Sequence, residues 1–305
     1  MTSTEKVKSA RPEPVGGPAV VALGGGHGLA ASLRAARTYA GSLTAVVSVG
    51  DDGGSSGRLR ANFGVAPPGD VRRCISALAT KESLLSSTLE FRFADGPLTG
   101  HPIGNLLLAG LTVASGDFQQ AIDELCRLVG VEGSIFPATM VPVRLLADSD
   151  EGTITGQVTI ERAVGIHNLR FDPADPPVDE GAVKAVEQAD QVIIGPGSLF
   201  TSVLASAVVP GLLAAIQQTQ GQRVFVANVA NEKAMARGFG LAEHLEAILD
   251  HGVAIDVVVA NESASVTALD GVEVYRADLA GRDGWSHDAM KLGRILSQIY
   301  AERRL

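Results

Sequence analysis

Short apolar runs alternate with amphipathic segments along most of the chain. Val20–Leu23 is a run of four apolar residues that fits a buried strand, and apolar residues then recur at helical spacing. Ser42–Val49 is rich in β-branched residues and predicts a second strand. A helix and a strand follow over 180–194, and further strands are predicted over 223–227 and 255–259. This alternation predicts an α/β protein with a Rossmann-like, mostly parallel sheet and helices on both faces.

The middle of the chain, residues 138–163, has a different, strand-like pattern. Apolar and polar residues alternate over 141–145, a turn is predicted at 149–152, and apolar residues continue over 154–160. This pattern predicts a β-hairpin inserted beside the main sheet. The Pro-rich segment 171–177 predicts a surface connection, because the strand and helix alternation resumes directly after it.

Composition narrows the classes of function. The net charge is −9, from 25 Lys and Arg against 34 Asp and Glu, which argues against a nucleic-acid partner. No apolar run reaches membrane-spanning length, so we expect no membrane insertion and a cytoplasmic location. Residues 1–17 are polar and predict a disordered tail, and residues 18–305 predict a single Rossmann-type domain. Cys74 and Cys126 fit core positions and show no metal or redox spacing.

Four of the five residues in Gly24–Gly28 are glycine, in the turn between the first strand and helix. Glycine lets the backbone approach a ligand, and the helix start offers N–H groups and a positive dipole end. The alternative is a tight turn alone, which needs fewer glycines. We therefore favour anion binding, and we expect His27 within this loop to touch phosphate.

A second glycine loop follows the strand that ends at Ile194. It contains Gly195 and Gly197 and the hydroxyl residues Ser198 and Thr201. The next predicted strand ends at Asn228. Because the carboxyl ends of parallel strands share one edge of a sheet, the sequence predicts one composite pocket.

An acidic block follows the second strand, on a loop predicted over 50–58. Asp51 and Asp52 could hold Mg²⁺ with a diphosphate, together with Asp70, or could serve as turn and cap residues. Asp70 is predicted to cap a helix over 71–80. Arg72 in the first turn of that helix opposes the macrodipole, which indicates either a nearby anion or a solvated side chain.

Other patterns restrict the chemistry. Pro102 predicts a helix start that places His101 and Asn105 near its N-terminal end, where His101 could bind an anion or cap the turn. The first loop lacks the Gly-Lys-Ser/Thr of an ATP-binding P-loop. Residues 26–31 fit the loose Gly-x-Gly-x-x-Ala dinucleotide pattern, so nicotinamide binding is an alternative. The order of residues predicts no Ser-His-Asp triad and no thiol nucleophile.

Five motifs occur together in one order and resemble the YvcK family of bacterial gluconeogenesis factors, in the CofD-like superfamily. The resemblance covers the chain from about Pro18 onward, and the 51–60 block is its most specific part. The chain departs from the family pattern at His27, at 231–236 and at 286–288. The motifs are Gly24–Leu29, Asp51–Arg60, Pro67–Arg72, Gly100–Asn105 and Gly195–Ser198.

The resemblance implies a Rossmann-like domain that binds UDP-N-acetylglucosamine and regulates cell shape and the balance between central carbon metabolism and cell-wall precursors. The anion-binding loops, the acidic charge and the lack of a predicted nucleophile favour a binding protein without catalysis, for which we expect a protein partner in those pathways and allow a homodimer. The more distant CofD branch implies the alternative, an Mg²⁺-dependent transferase of a nucleotide-activated phospholactyl group, with Asp51 and Asp52 as metal ligands. The expected ligand-binding residues are Gly24, Gly25, Gly26, His27, Gly28, Asp51, Asp52, Gly53, Ser55, Ser56, Arg58, Asp70, Arg72, His101, Asn105, Gly195, Gly197, Ser198, Thr201 and Asn228.

Overall fold

The structure, a computed structural model, describes residues 16–80, 83–229, 240–265 and 271–303. Its strands are β1 Ala19–Gly24, β2 Ser42–Val47, β3 Ser134–Pro137, β4 Arg144–Ser149, β5 Gly152–Thr155, β6 His167–Asp172, β7 Gln191–Ile194, β8 Gln222–Val226, β9 Val257–Asn261 and β10 Glu273–Ala277. Its helices are α1 Gly26–Ala36, α2 Gly54–Phe63, α3 Gly69–Leu78, α4 Leu84–Thr88, α5 Ile103–Ser115, α6 Phe118–Val129, α7 Gln157–Ile160, α8 Glu180–Gln188, α9 Ala205–Ala207, α10 Pro210–Gln218, α11 Leu241–Asp250 and α12 Ala289–Glu302, with a π-helical turn Leu199–Leu204 before α9.

The main sheet has seven strands in the order β10-β9-β8-β7-β1-β2-β3, and every neighbouring pair is parallel. This is the doubly wound arrangement that the sequence predicted. The chain moves outward from β1 to β3 and then returns to the other side of β1 at β7. The topological switch point therefore lies between β1 and β7, where ligands bind in open α/β sheets.

The helices cover both faces of this sheet, as predicted. Side chains of β1 alternate between two apolar clusters, since successive strand residues point to opposite faces. Val21 and Leu23 pack with residues of α8, α10 and α11, whereas Val20 and Ala22 pack with residues of α1, α3 and α12. β1 is thus buried on both faces, which explains why it is a continuous apolar run.

The predicted hairpin exists, but it belongs to a separate three-stranded antiparallel sheet in the order β5-β4-β6. Two details of the prediction are wrong. The end of the predicted second strand forms the short helix α7, because Asp52 accepts hydrogen bonds from its first amides. Phe171 is 5% exposed in β6, so the start of the segment predicted as a surface connection is a core strand.

Other element bounds also differ from the predictions. The strand predicted over 42–49 ends at Val47, and the loop predicted over 50–58 becomes helical at Gly54. α2 forms there because Leu59 packs with Val65 and Ala109, and because the Ser56 hydroxyl accepts a hydrogen bond from the Gly69 amide at 3.2 Å. Tertiary contacts therefore override the low helix propensity of the glycines.

Two short strands of the main sheet, β3 and β10, were not predicted, since four or five residues carry too little periodicity. Residues 1–15 of the predicted tail 1–17, and the departure at 231–236, lie outside the described residues. No single described helix is long and apolar enough to cross a bilayer. The pair Leu199–Ala207 and Pro210–Gln218, bent by 71°, passes that test by length and composition alone.

Candidate functional site

The two glycine loops lie against each other at the switch point, as predicted. A Cβ atom on Gly28 would lie 2.0 Å from the carbonyl oxygen of Pro196, and one on Gly24 would lie 3.9 Å from the Cα of Gly195. Only glycine permits the first of these approaches. Gly26 has a φ of +62° and open space beyond it, so glycine is needed there for its backbone conformation. The first loop therefore combines close packing at Gly28 with an open backbone at Gly26.

The start of α1 already holds an anionic side chain. The amide of Gly26 donates to Asp70 Oδ2 at 2.7 Å, and Arg73 forms an ion pair with Asp70 Oδ1. Burial raises the pKa of Asp70, Asp51 raises it further, and Arg73 opposes both. Asp70 lies inside the first turn of α3, whose N-cap is Pro68, so the prediction that Asp70 caps this helix is wrong.

His27 lies in the first turn of α1 and is exposed. Partial burial of the imidazole and the nearby Arg73 guanidinium lower the pKa of His27. The neutral imidazole therefore predominates near neutral pH, and it lies beside the open backbone of Gly26. This position is compatible with the predicted contact to a ligand.

The second glycine loop is held by Asn228, which follows β8. Asn228 Oδ1 accepts from the Gly197 amide at 3.0 Å, and Asn228 Nδ2 donates to the Gly197 carbonyl at 3.1 Å. The Thr201 hydroxyl donates to Glu161 Oε1 at 3.1 Å, while Ser198 begins the π-helical turn. Asn228 and Thr201 thus position this loop, a role that the sequence analysis did not assign to them.

The two neighbouring carboxylates of the acidic block separate. Asp52 accepts from the amides of Gln157 at 3.0 Å and Val158 at 3.1 Å, and so caps α7. Asp51 Oδ1 accepts from the Gly53 amide at 2.9 Å, whereas Asp51 Oδ2 faces Gly69. The described residues contain no group of three or more His, Cys, Asp or Glu side chains that could hold a metal. Asp51 fits a cation that also binds a ligand phosphate, and Asp52 does not, because both of its oxygens cap a helix.

The two arginines expected at the site both bond to protein groups. Arg72 is 1% exposed and pairs with Glu90 Oε2 at 2.5 Å, so the nearby anion that its position indicated is a carboxylate of the protein, and the solvated interpretation is wrong. Arg58 is exposed and donates to the Thr99 carbonyl at 2.9 Å. Burial lowers the pKa of Arg72, while Glu90 opposes that shift.

A cluster that the sequence analysis did not predict joins α2 to the start of α5. Ser55 Oγ lies 2.8 Å from His101 Nδ1, and Asn105 Nδ2 donates to Ser55 Oγ at 3.0 Å. His101 and Asn105 are 7% and 2% exposed. Burial, and then the Arg58 charge, lower the pKa of His101. His101 and Asn105 follow Ser55 by 46 and 50 positions. No local sequence pattern could therefore predict that this serine and this histidine are in contact.

A cleft of about 490 Å³ opens beyond the ends of β8 and β9. Among its lining residues are Asn228, Asn261, His244 and Ser263. Asn261 Oδ1 accepts from the Leu279 amide at 2.9 Å, so part of this polar lining also stabilises the fold. The lining residues in the described part of the chain include no Lys, Arg, Asp or Glu, and they suit neutral hydrogen-bonding groups better than phosphate.

The structure therefore joins most of the predicted site along one edge of the sheet. The glycine loops adjoin, Asp70 contacts the first loop, and Ser55, His101 and Asn105 form one cluster. Asp52, Thr201 and Arg72 instead bond to other protein groups. The loops could be recognised in the sequence because glycines mark close backbone approach. The hydrogen-bond partners of the site side chains could not, because those partners are distant in the sequence.

Comparison with known proteins finds similar sequences. The sequence model of the family described as 2-phospho-L-lactate transferase CofD matches residues 20–303. A gluconeogenesis factor of Halalkalibacterium halodurans is 42% identical over 291 residues, which cover 93% of this chain and 90% of that protein. A putative gluconeogenesis factor of a Nostoc species is 44% identical over 235 residues, which cover 76% of this chain. The match spans only 52% of that Nostoc relative.

A solved structure shows the same fold. The crystal structure of a UPF0052 family member from Bacillus halodurans superposes with a TM-score of 0.85 at 35% sequence identity. The match covers 91% of this chain and 97% of that one. The parallel sheet and its inserted antiparallel sheet therefore belong to an arrangement shared with relatives.

Proposed function

Since the chain belongs to the CofD family, and within it to the gluconeogenesis factors, we propose that it binds a UDP-sugar. UDP-N-acetylglucosamine is the first candidate. The protein would act as a regulator that links central carbon metabolism to the supply of cell-wall precursors and to cell shape, through a protein partner in the cytoplasm.

One observation carries this proposal: Asn228 connects the second glycine loop to the neutral cleft. Asn228 brackets Gly197 with two hydrogen bonds and also lines the 490 Å³ cavity. A ligand with a charged and a neutral half would span both parts. Its diphosphate would lie at the open backbone of Gly26, and its neutral groups would enter the cleft.

Titration calorimetry with UDP-N-acetylglucosamine tests the proposal. We expect saturable binding, weaker binding of UDP, and none of free N-acetylglucosamine, because the phosphates supply the charged contacts. Ala264 lines the cleft, so Ala264→Leu fills part of it and should weaken binding about tenfold or more. Ala301→Leu adds the same side chain at an exposed position of α12 and serves as the matched control. Absence of heat at millimolar ligand would overturn the proposal.

The transferase named by the family model is a second candidate, favoured by Asp51 Oδ2, for which the described residues provide no hydrogen-bond donor. Asp51 would hold Mg²⁺, which would neutralise charge on a ligand diphosphate. Asp51→Asn should then abolish any dependence of nucleotide binding on Mg²⁺, as followed by calorimetry with and without EDTA. Binding that is unchanged by EDTA in the parent protein would eliminate this candidate.

A further inference from the structure

The Ser55 hydroxyl has the surroundings of an activated nucleophile. Asn105 Nδ2 donates to Ser55 Oγ at 3.0 Å, which directs the Ser55 proton toward His101 Nδ1 at 2.8 Å. The imidazole accepts that proton when its own proton is on Nε2. A hydroxyl within hydrogen-bond reach of an oriented base is the arrangement that nucleophilic catalysis requires.

Neighbouring Ser56 provides an internal contrast. It is 3% exposed, and its hydroxyl accepts from the Gly69 amide at 3.2 Å, which ties α2 to α3. Ser55 is only partly buried and bonds to two side chains instead. Ser56 is therefore structural, whereas Ser55 can be approached from outside.

The first turn of α2 supplies donors beside this hydroxyl. In the described part of the chain, no hydrogen-bond acceptor is found for the amides of Gly54, Ser55 and Ser56. These amides lie at the positive end of a ten-residue helix and suit the oxygens of a phosphoryl group. Asn105 is 2% exposed, and its Oδ1 has no hydrogen-bond partner within the same described residues. A buried acceptor beside the Ser55 hydroxyl is satisfied when a water or a ligand hydroxyl enters.

The cluster adjoins the glycine loops. Asn105 Nδ2 lies 3.9 Å from the position of a Cβ on Gly69, and the next residue, Asp70, bonds the Gly26 amide at 2.7 Å. Asp51 Oδ2 lies 3.4 Å from the same Gly69 position. A diphosphate held at Gly26 is thus within the same part of the site as Ser55.

We propose that Ser55 is a nucleophile, with His101 as its base, that cleaves phosphoric esters of the nucleoside-diphosphate class. The ligand class rests on the proposed function, and the activity goes beyond it. Ser55 Oγ bonds to a phosphorus atom of the diphosphate while the bridging P–O bond breaks. One phosphomonoester leaves with that bonding pair, and the Ser55 proton passes to His101 Nδ1.

The second half of the reaction restores the serine. A water adds to the same phosphorus, the P–Oγ bond breaks, and Ser55 Oγ recovers a proton from His101. The proton of the water goes to solvent, and the second phosphomonoester is released. The net reaction is hydrolysis of one P–O–P linkage, with no oxidant or further reactant.

The experiment uses the full chain and two probes, UDP-N-acetylglucosamine and the p-nitrophenyl ester of thymidine 5′-monophosphate. The second probe reports attack at phosphorus as p-nitrophenol, whatever sugar the site prefers. We expect steady p-nitrophenol release, and a phosphoryl-ester adduct on Ser55 in acid-quenched protein, located by peptide mass spectrometry. Ser55→Ala should lose both, with release lowered about a hundredfold or more. His101→Gln should lower the rate of adduct formation by a similar factor.

The control is Ser87→Ala, which removes an exposed hydroxyl on α4 and should leave release unchanged. Far-ultraviolet circular dichroism and calorimetry with UDP-N-acetylglucosamine show that Ser55→Ala folds and binds. Parent protein that binds the nucleotide sugar but releases no p-nitrophenol overturns the nucleophile and leaves the binding function intact. Release without binding of the nucleotide sugar overturns the proposed function instead. Full activity of Ser55→Ala also overturns the nucleophile.

Discussion

The starts of α1 and α2 follow similar glycine-rich sequences, yet they are built differently. At α1 the first amide is bonded to Asp70, and Gly28 is pressed against the Pro196 carbonyl. At α2 the first amides have no acceptor within the described residues, and Ser55 contacts a histidine and an asparagine. At α1 the protein's own carboxylate occupies the first amide, whereas the first amides of α2 are open to a ligand.

The difference shows what a glycine motif reports. Glycine marks a place where backbone comes close to something, and that neighbour can be protein or ligand. At Gly28 the neighbour is protein. A helix start with several glycines is therefore evidence of close approach first, and of anion binding only where its amides remain unbonded.

The largest expected effect is at the start of α1, where Gly28 is closely packed. Gly28→Ala would place a Cβ 2.0 Å from Pro196 O, a backbone atom that cannot move aside, and should lower the free energy of unfolding by about 3 kcal/mol. Gly26→Ala meets open space and should cost about 1–2 kcal/mol for its φ of +62°. Gly110→Ala, at an exposed position of α5, should stabilise by about 0.5–1 kcal/mol. Urea unfolding measures all three, and equal losses at Gly28 and Gly26 would contradict the packing argument.

A smaller effect is expected where the second glycine loop is fixed. Asn228→Ala removes both hydrogen bonds to Gly197 and should cost about 2 kcal/mol in urea unfolding. Gln220→Ala, at an exposed position after α10, should change stability by less than about 0.5 kcal/mol. If Asn228→Ala is as stable as the parent but no longer binds nucleotide, Asn228 contacts the ligand rather than positioning the loop.

A substitution of Asp52 distinguishes its role as the cap of α7 from a role as an Mg²⁺ ligand. Asp52→Ala removes the acceptor of two α7 amides and should cost about 1 kcal/mol, as for other helix caps. Glu151→Ala, in the exposed turn between β4 and β5, is the control. Unchanged stability together with lost Mg²⁺ dependence of nucleotide binding would favour the metal role.

The smallest expected effect concerns the anion at α1. Burial raises the pKa of Asp70 in the folded protein, so the folded state holds this proton more tightly than the unfolded state. The contribution of Asp70 to stability therefore falls as pH rises from the usual carboxyl range, about 4, through its raised pKa. Asp70→Asn should remove this fall in urea titrations at several pH values.

The same variant tests whether α1 can become as open as α2. Asp70→Asn removes a negative charge beside the Gly26 amide, so UDP should bind about threefold more tightly in calorimetry. Glu243→Gln, at the start of α11, removes a charge from another helix start and serves as the control. Weaker nucleotide binding by Asp70→Asn would show that this carboxylate acts on the ligand side, as a metal ligand would.

Periodicity and glycines in the sequence were sufficient to predict the parallel sheet, the helices on both faces and both glycine loops. These features depend on local patterns: β1 is a continuous apolar run because both of its faces are buried. The sequence pattern did not predict elements that are short or that are stabilised by residues distant in the chain. α7 depends on Asp52, more than a hundred positions earlier, and Phe171 enters the core through pairing of β6 with β4.

The sequence by itself determined which residue types lie at the carboxyl edge of the sheet, since the hydrophobic pattern shows where most strands end and which loops follow them. The tertiary structure alone decided which of them are bonded to protein and which remain open. Asp52 accepts a hydrogen bond from α7, Arg72 pairs with Glu90, and Asp70 accepts from the first amide of α1. Ser55, in contrast, contacts His101. The physical reason is that side-chain partners are set by chain segments brought together only on folding, and buried polar groups take whichever partner lies within reach.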